Sequence, residues 1–217
     1  MNTENLNLEE VPYVVMAPSP SKRAFVLHKI SDVTDWYEVV EGESRAENFP
    51  DNVTHTIVKG YYEEEEEDEE NFDPDNPAPR TILDDVIHSP NRVFLISHRV
   101  RVFFISRSVN QVEYLPCTIL NSKGESLALY YILSPINPID CLDIVASKAK
   151  ASRADKDYVG AIDGIVVKSG LIDPELQIFK IKKLFEQVII HRNLAQAIVA
   201  QGFTGIRWIE FANFKRS

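Results

Sequence analysis

Residues 188–209 read Val188-Ile189-Ile190-His191-Arg192-Asn193-Leu194-Ala195-Gln196-Ala197-Ile198-Val199-Ala200-Gln201-Gly202-Phe203-Thr204-Gly205-Ile206-Arg207-Trp208-Ile209. An apolar run opens the stretch. Leu194, Ala197 and Ile198 then follow the i, i+3, i+4 spacing of a helix with one buried face. Gly202 is placed to stop that helix in the left-handed region, and a second apolar run closes the stretch. The same order occurs 94 residues earlier. Without gaps, residues 94–115 set Leu95 against Ile189, Ile96 against Ile190, Val100 against Leu194 and Phe104 against Ile198. Ile105 falls against Val199, Val109 against Phe203, Val112 against Ile206, Tyr114 against Trp208 and Leu115 against Ile209. Val100, Phe103 and Phe104 form the corresponding helical stripe, and Ser108 takes the place of Gly202. Ser97 is the expected cap of the first helix; Asn193 or His191 starts the second. Each stretch predicts strand, amphipathic helix, strand. Two unrelated units of that kind would also share such a pattern, so common descent of the two stays open.

Around these modules the chain is rich in strand signals. Residues 128–133, 164–168 and 177–182 read as strands, and Asn121-Ser122-Lys123-Gly124-Glu125 as a hairpin turn. In the first half, 11–16, 24–30, 35–40 and 53–61 are β-prone, with a turn-rich stretch at 17–21 and a loop at 46–52. The expected class is α+β, with a mixed or largely antiparallel sheet, few helices and two similar strand–helix–strand modules in the C-terminal half. Three regions are expected: a β-rich part at 1–61, an exposed loop at 62–80, and a core at 81–217 that forms one globular unit with 1–61.

The expected loop carries the charge. Residues 63–75 read Glu63-Glu64-Glu65-Glu66-Glu67-Asp68-Glu69-Glu70-Asn71-Phe72-Asp73-Pro74-Asp75, ten carboxylates with no basic residue. Without those ten, the chain's 33 acidic side chains fall to 23, equal to its 23 basic ones. The net charge of −10 is therefore local. Such runs are usually solvated and self-repelling, and a concentrated charge of this kind also attracts an oppositely charged surface. Pro74, Pro77 and Pro79 prevent a helix or central strand from continuing. The candidate partner-binding residues are Tyr61, Tyr62, Glu63, Glu64, Glu65, Glu66, Glu67, Asp68, Glu69, Glu70, Phe72, Asp73 and Asp75, with the three aromatics as anchors. Packing of the loop's ends is the alternative role for those aromatics.

No apolar run approaches the roughly 20 residues that span a bilayer. The first ten residues lack the basic start and apolar stretch of a secretory signal, so a cytoplasmic location is expected. Cys117 and Cys141 stand in apolar company and are read as buried, inert thiols. Asn52-Val53-Thr54 matches the glycosylation pattern, but without a signal the match carries no weight. The five histidines are scattered, and His98 and His191 lie at helix starts. Gly202-Phe203-Thr204-Gly205 is a helix-to-strand turn rather than a phosphate loop. Asp140, Asp143 and Ser147 are the most patterned polar set. A carboxylate pair suits acid–base work, while Asp and Ser in a loop also satisfy backbone groups. The second role is preferred, since no third reactive group stands nearby. Arg99, Arg101 and Arg107, and Lys180, Lys182 and Lys183, are small basic clusters among apolar positions, too dispersed for a nucleic-acid surface. No catalytic residue, metal or cofactor is expected.

Four segments occur in a telling order: Leu129-Tyr130-Tyr131-Ile132-Leu133, then 138–147, then Ile178-Phe179-Lys180 with Val188-Ile189-Ile190, then Gln201-Gly202-Phe203-Thr204-Gly205-Ile206. Over about 90–210 the chain resembles a family of bacterial immunity proteins from polymorphic-toxin systems. The resemblance implies a non-enzymatic protein that binds a cognate toxin and blocks its active site or substrate groove. The localised negative charge suits a basic target such as a cytoplasm-acting nuclease domain. A homodimer stays open. Two other classes compete: an acidic adaptor or chaperone for basic proteins, and an enzyme using Asp140 and Asp143.

Overall fold

The alternation along the strands accounts for the layers. The structure, a computed structural model, describes residues 11–21, 24, 26–30, 36–50, 53–58, 82–89, 92–121 and 123–216. Among these the elements run β1 (Tyr13–Ser19), β2 (Val26–Ile30), α1 (Trp36–Glu41), β3 (Thr54–Val58), β4 (Val86–His88), β5 (Phe94–Ser97) and α2 (His98–Ser106). They continue with β6 (Val112–Leu120), β7 (Ser126–Pro135), β8 (Lys150–Ala151), β9 (Val159–Asp163), β10 (Ile178–Ile181) and β11 (Leu184–His191). The last are α3 (Arg192–Ala200), β12 (Gly205–Glu210) and β13 (Lys215–Arg216). Three sheets result, ordered β10-β11-β1-β12, β2-β3-β6-β7-β5-β4 and β13-β9-β8. Every ladder is antiparallel except β3 on β6. The class is α+β with few helices, as the sequence predicts.

β1 is buried on both faces, which is why it reads as a nearly unbroken apolar run. Its Tyr13 and Val15 enter one core with Phe179, Ile181, Ile189, Phe211 and Phe214. Val14 and Met16 enter a second, between the four-stranded and six-stranded sheets, where the two longer helices lie. The opposite face of the six-stranded sheet holds a third core of Leu95, Leu115, Cys117, Ile119 and Ile132, closed by Val39 and Val40 of α1.

Both modules form strand–helix–strand. Val100, Phe104, Leu194 and Ile198 are all buried in the second core. Ser97 caps α2, its Oγ accepting from the Val100 N–H, and His191 caps α3, its Nδ1 accepting from the Asn193 N–H. Ser108 and Gly202 both take positive φ, 52° and 65°, and end their helices alike. The hairpin turn also forms: the Asn121 side-chain carbonyl accepts from the N–H groups of Lys123 and Glu125.

Three expectations fail for local reasons. Residues 36–40, expected as β-prone, belong to helix α1. Gly42, at φ +81°, stops it and donates to the Val39 carbonyl, and the Lys180 ammonium binds the carbonyls of Val39 and Val40. Tertiary contacts thus override the β preference of the valines. The stretch 164–168 is not a strand and makes one isolated bridge, Val167 to Leu142. The Ser147 hydroxyl takes up both backbone groups of Val166 in place of a ladder. β1 starts at Tyr13 and runs on through Pro18 to Ser19, where a turn is expected. Pairing with β11 ends at Met16, so the missing N–H of Pro18 removes no ladder bond.

His55 of β3 is fully buried, and burial lowers its pKa to about 4 from the usual 6.5. Between those values the unfolded chain binds a proton that the folded chain does not. Stability is therefore intact above 6.5 and lost as pH falls toward 4, at up to about 1.4 kcal/mol per pH unit. Burial lowers the pKa of His88 too, adding a loss of the same sign. Urea unfolding at pH 7, 5.5 and 4.5 should show a shallower acid slope for His55→Leu than for the parent. Parallel slopes would place the acid loss elsewhere.

Candidate partner interface

The Gly202–Gly205 turn is the joint between the two modules. The Thr204 carbonyl accepts from Val86 N–H, 3.1 Å, and the Asp85 N–H donates to Thr204 Oγ1, 3.1 Å. The Asp85 carboxylate receives Arg99 Nε and Nη2 at 2.5 and 2.6 Å, Ser97 Oγ at 3.0 Å and Thr204 N–H at 3.1 Å. Burial opposes ionisation of Asp85, but these donors outweigh it and hold the carboxyl below its ordinary range. Arg99 also reaches the Gly202 carbonyl and covers the Phe203 ring at 4.8 Å, and Phe203 meets Phe103 edge-on. Gly205, at φ +90°, passes directly against β4.

The joint fixes α2, whose outer side is unlike an ordinary solvated helix face. His98, Arg101, Val102 and Ile105 are spaced i, i+3, i+4, i+7 and share one stripe. Val102 and Ile105 are 48% and 50% exposed. Arg101 lies over the ring of Tyr131 at 4.6 Å and near that of Tyr114 at 5.9 Å; His98 packs beside Tyr131. By strand alternation Leu127 and Leu129 of β7 share the face of Tyr131, and Leu129 is 50% exposed. Arg107 covers Phe103 at 5.2 Å.

Other polar groups have structural partners. Asp143 Oδ1 accepts from the N–H groups of Val145 and Ala146, at 3.1 and 3.0 Å, and Ser147 is fully buried on the backbone of Val166. Asp140 is exposed. The structure thus gives Asp143 and Ser147 the backbone-satisfying role. Lys180, 4% exposed, donates to the Val39 and Val40 carbonyls at 2.9 and 2.6 Å; burial lowers its pKa to about 7. Cys117 and Cys141 are buried, and burial raises their pKa values to about 12 and about 11, far from a reactive thiolate. Among the described residues no three His, Cys, Asp or Glu side chains are grouped to hold a metal, and no helix is long and apolar enough to cross a membrane.

The sequence-predicted partner residues, from Tyr61 and Tyr62 through Glu63–Glu70 to Phe72, Asp73 and Asp75, lie outside the described residues. The outer stripe of α2 is absent from the sequence-based set. Its signal was present: His98-Arg99-Val100-Arg101-Val102-Phe103-Phe104-Ile105-Ser106-Arg107 has apolar residues on two faces and no carboxylate.

Comparison with known families matches residues 38–213 to one model, described as Immunity protein family (Imm11). No curated protein matches the chain.

Proposed function

The chain belongs to the immunity protein family Imm11, and from that premise we propose that it binds a cytoplasm-acting nuclease toxin with a basic surface and occludes its active site or substrate groove. The family implies toxin neutralisation by binding a cognate toxin protein. The ten carboxylates of residues 63–75, which account for the whole net charge, support the finer reading. Complementary charge accelerates encounter and orients the partners, while a few aromatic or arginine anchors supply most of the affinity. Tyr61, Tyr62 and Phe72 are the proposed anchors beside the run. No catalytic residue takes part.

Co-expression with its cognate toxin should restore growth, and the purified toxin domain should bind the chain. Replacing Glu63–Glu70 with Ser and Gly should leave thermal stability nearly unchanged. The same change should slow association and flatten its salt dependence, because exposed charges act over about a Debye length, ~8 Å at physiological ionic strength. Association rates at two salt concentrations provide the measurement. Equal rates for both proteins would make the run a solvated loop. Capture of many unrelated basic proteins would instead favour an acidic adaptor.

A further inference from the structure

We propose that the outer stripe of α2, with the open end of the β7 face beside it, is a second docking surface, and that it takes an apolar, carboxylate-bearing surface of the toxin. The inference rests on the toxin-binding reading and adds to it a second contact of opposite charge.

Three observations carry it. The first is composition: Val102, Ile105 and Leu129 each expose about half their surface around an arginine stacked on tyrosines. Tyr and Arg set among aliphatic side chains are the usual centre of a protein interface. The second is order. Arg101 is held against Tyr131 and Tyr114, and Asp85 fixes Arg99 at the start of the helix. Less side-chain freedom is then lost on binding. The third is charge. α2 contains no Asp or Glu. Arg99 is neutralised by Asp85, whereas Arg101, the arginine of the stripe, has no carboxylate partner among the described residues. Among the described residues this face is thus cationic and apolar, in a chain of net charge −10. A uniformly basic partner would be repelled there, whereas a carboxylate set in an apolar surface would pair with Arg101 as water is excluded. The toxin that fits both contacts carries a basic region as well as an acidic, apolar one.

The test uses the full chain and a catalytically inactive form of its cognate toxin domain. Ile105→Asp, Val102→Asp and Leu129→Asp change exposed side chains and should leave the melting temperature within error. Each should raise the dissociation constant by about 10-fold or more, mostly through faster dissociation. Ile105→Asn should recover part of the loss, since it adds no charge to repel the partner's carboxylates. Absence of binding by the parent would defeat the toxin-binding reading itself. Parent binding that all three variants match would overturn this inference alone. Sedimentation separates the other occupant: a parent dimer that becomes monomeric in Ile105→Asp would show the face taken by a second copy, which also overturns it.

Discussion

Gly205→Ala should cost more stability than alanine at any other described glycine. A Cβ at 205 would stand 1.9 Å from the carbonyl oxygen of Val86 and 2.8 Å from the Cβ of Asp84. The residue also sits at φ +90°, where a side chain is strained whatever the space. Relief requires β12 to move from β4, and that pulls Thr204 off Val86 and Asp85. The expected loss is about 4 kcal/mol or more, the size of a broken buried network with backbone strain added. Gly124→Ala is the control, since it has a similar φ of +81° with nothing within 4 Å. It should show the strain alone, about 1–2 kcal/mol. Urea unfolding of the two variants measures the difference. Equal losses would mean that the β4 contact yields freely.

Phe104→Ala should cost about 3–5 kcal/mol, through lost burial and the cavity left in the core between the sheets. Its neighbour Ile105 points outward, and Ile105→Ala should stay within about 0.5 kcal/mol. The pair measures the orientation of α2 directly. A comparable loss at both positions would mean that the outer stripe is covered in solution.

The same two residues show what the sequence reveals and what it withholds. Periodicity placed Val100, Phe104, Leu194 and Ile198 inward, and the positions for helix caps and stops followed from Ser97, His191, Ser108 and Gly202. All are local effects, encoded within one or two turns. Ile105 and Val199 also coincide between the modules and are apolar, yet both are exposed. Apolarity at one position does not say whether another layer covers it. The misread elements fail for a related reason. α1 depends on a lysine 140 residues away, and the backbone of Val166 on a hydroxyl 19 residues away. The Gly202–Gly205 turn was legible as a turn. Its role as a joint was not, because Asp85 and Arg99 meet it only in three dimensions.

The pairing of β1 sets a timetable for synthesis. Residues 13–19 find their ladders only on β11 and β12, which end at residues 191 and 210. Of the described strands, β1 is made well before either partner, with both its apolar faces unprotected until they follow. The hairpin of β6 and β7 closes much earlier from neighbouring chain. Contacts of such long sequence separation form slowly and leave a nascent chain prone to misassociation. A chain that stops before β12 leaves one edge of β1 without its ladder, so a partly made product lacks the joined sheet.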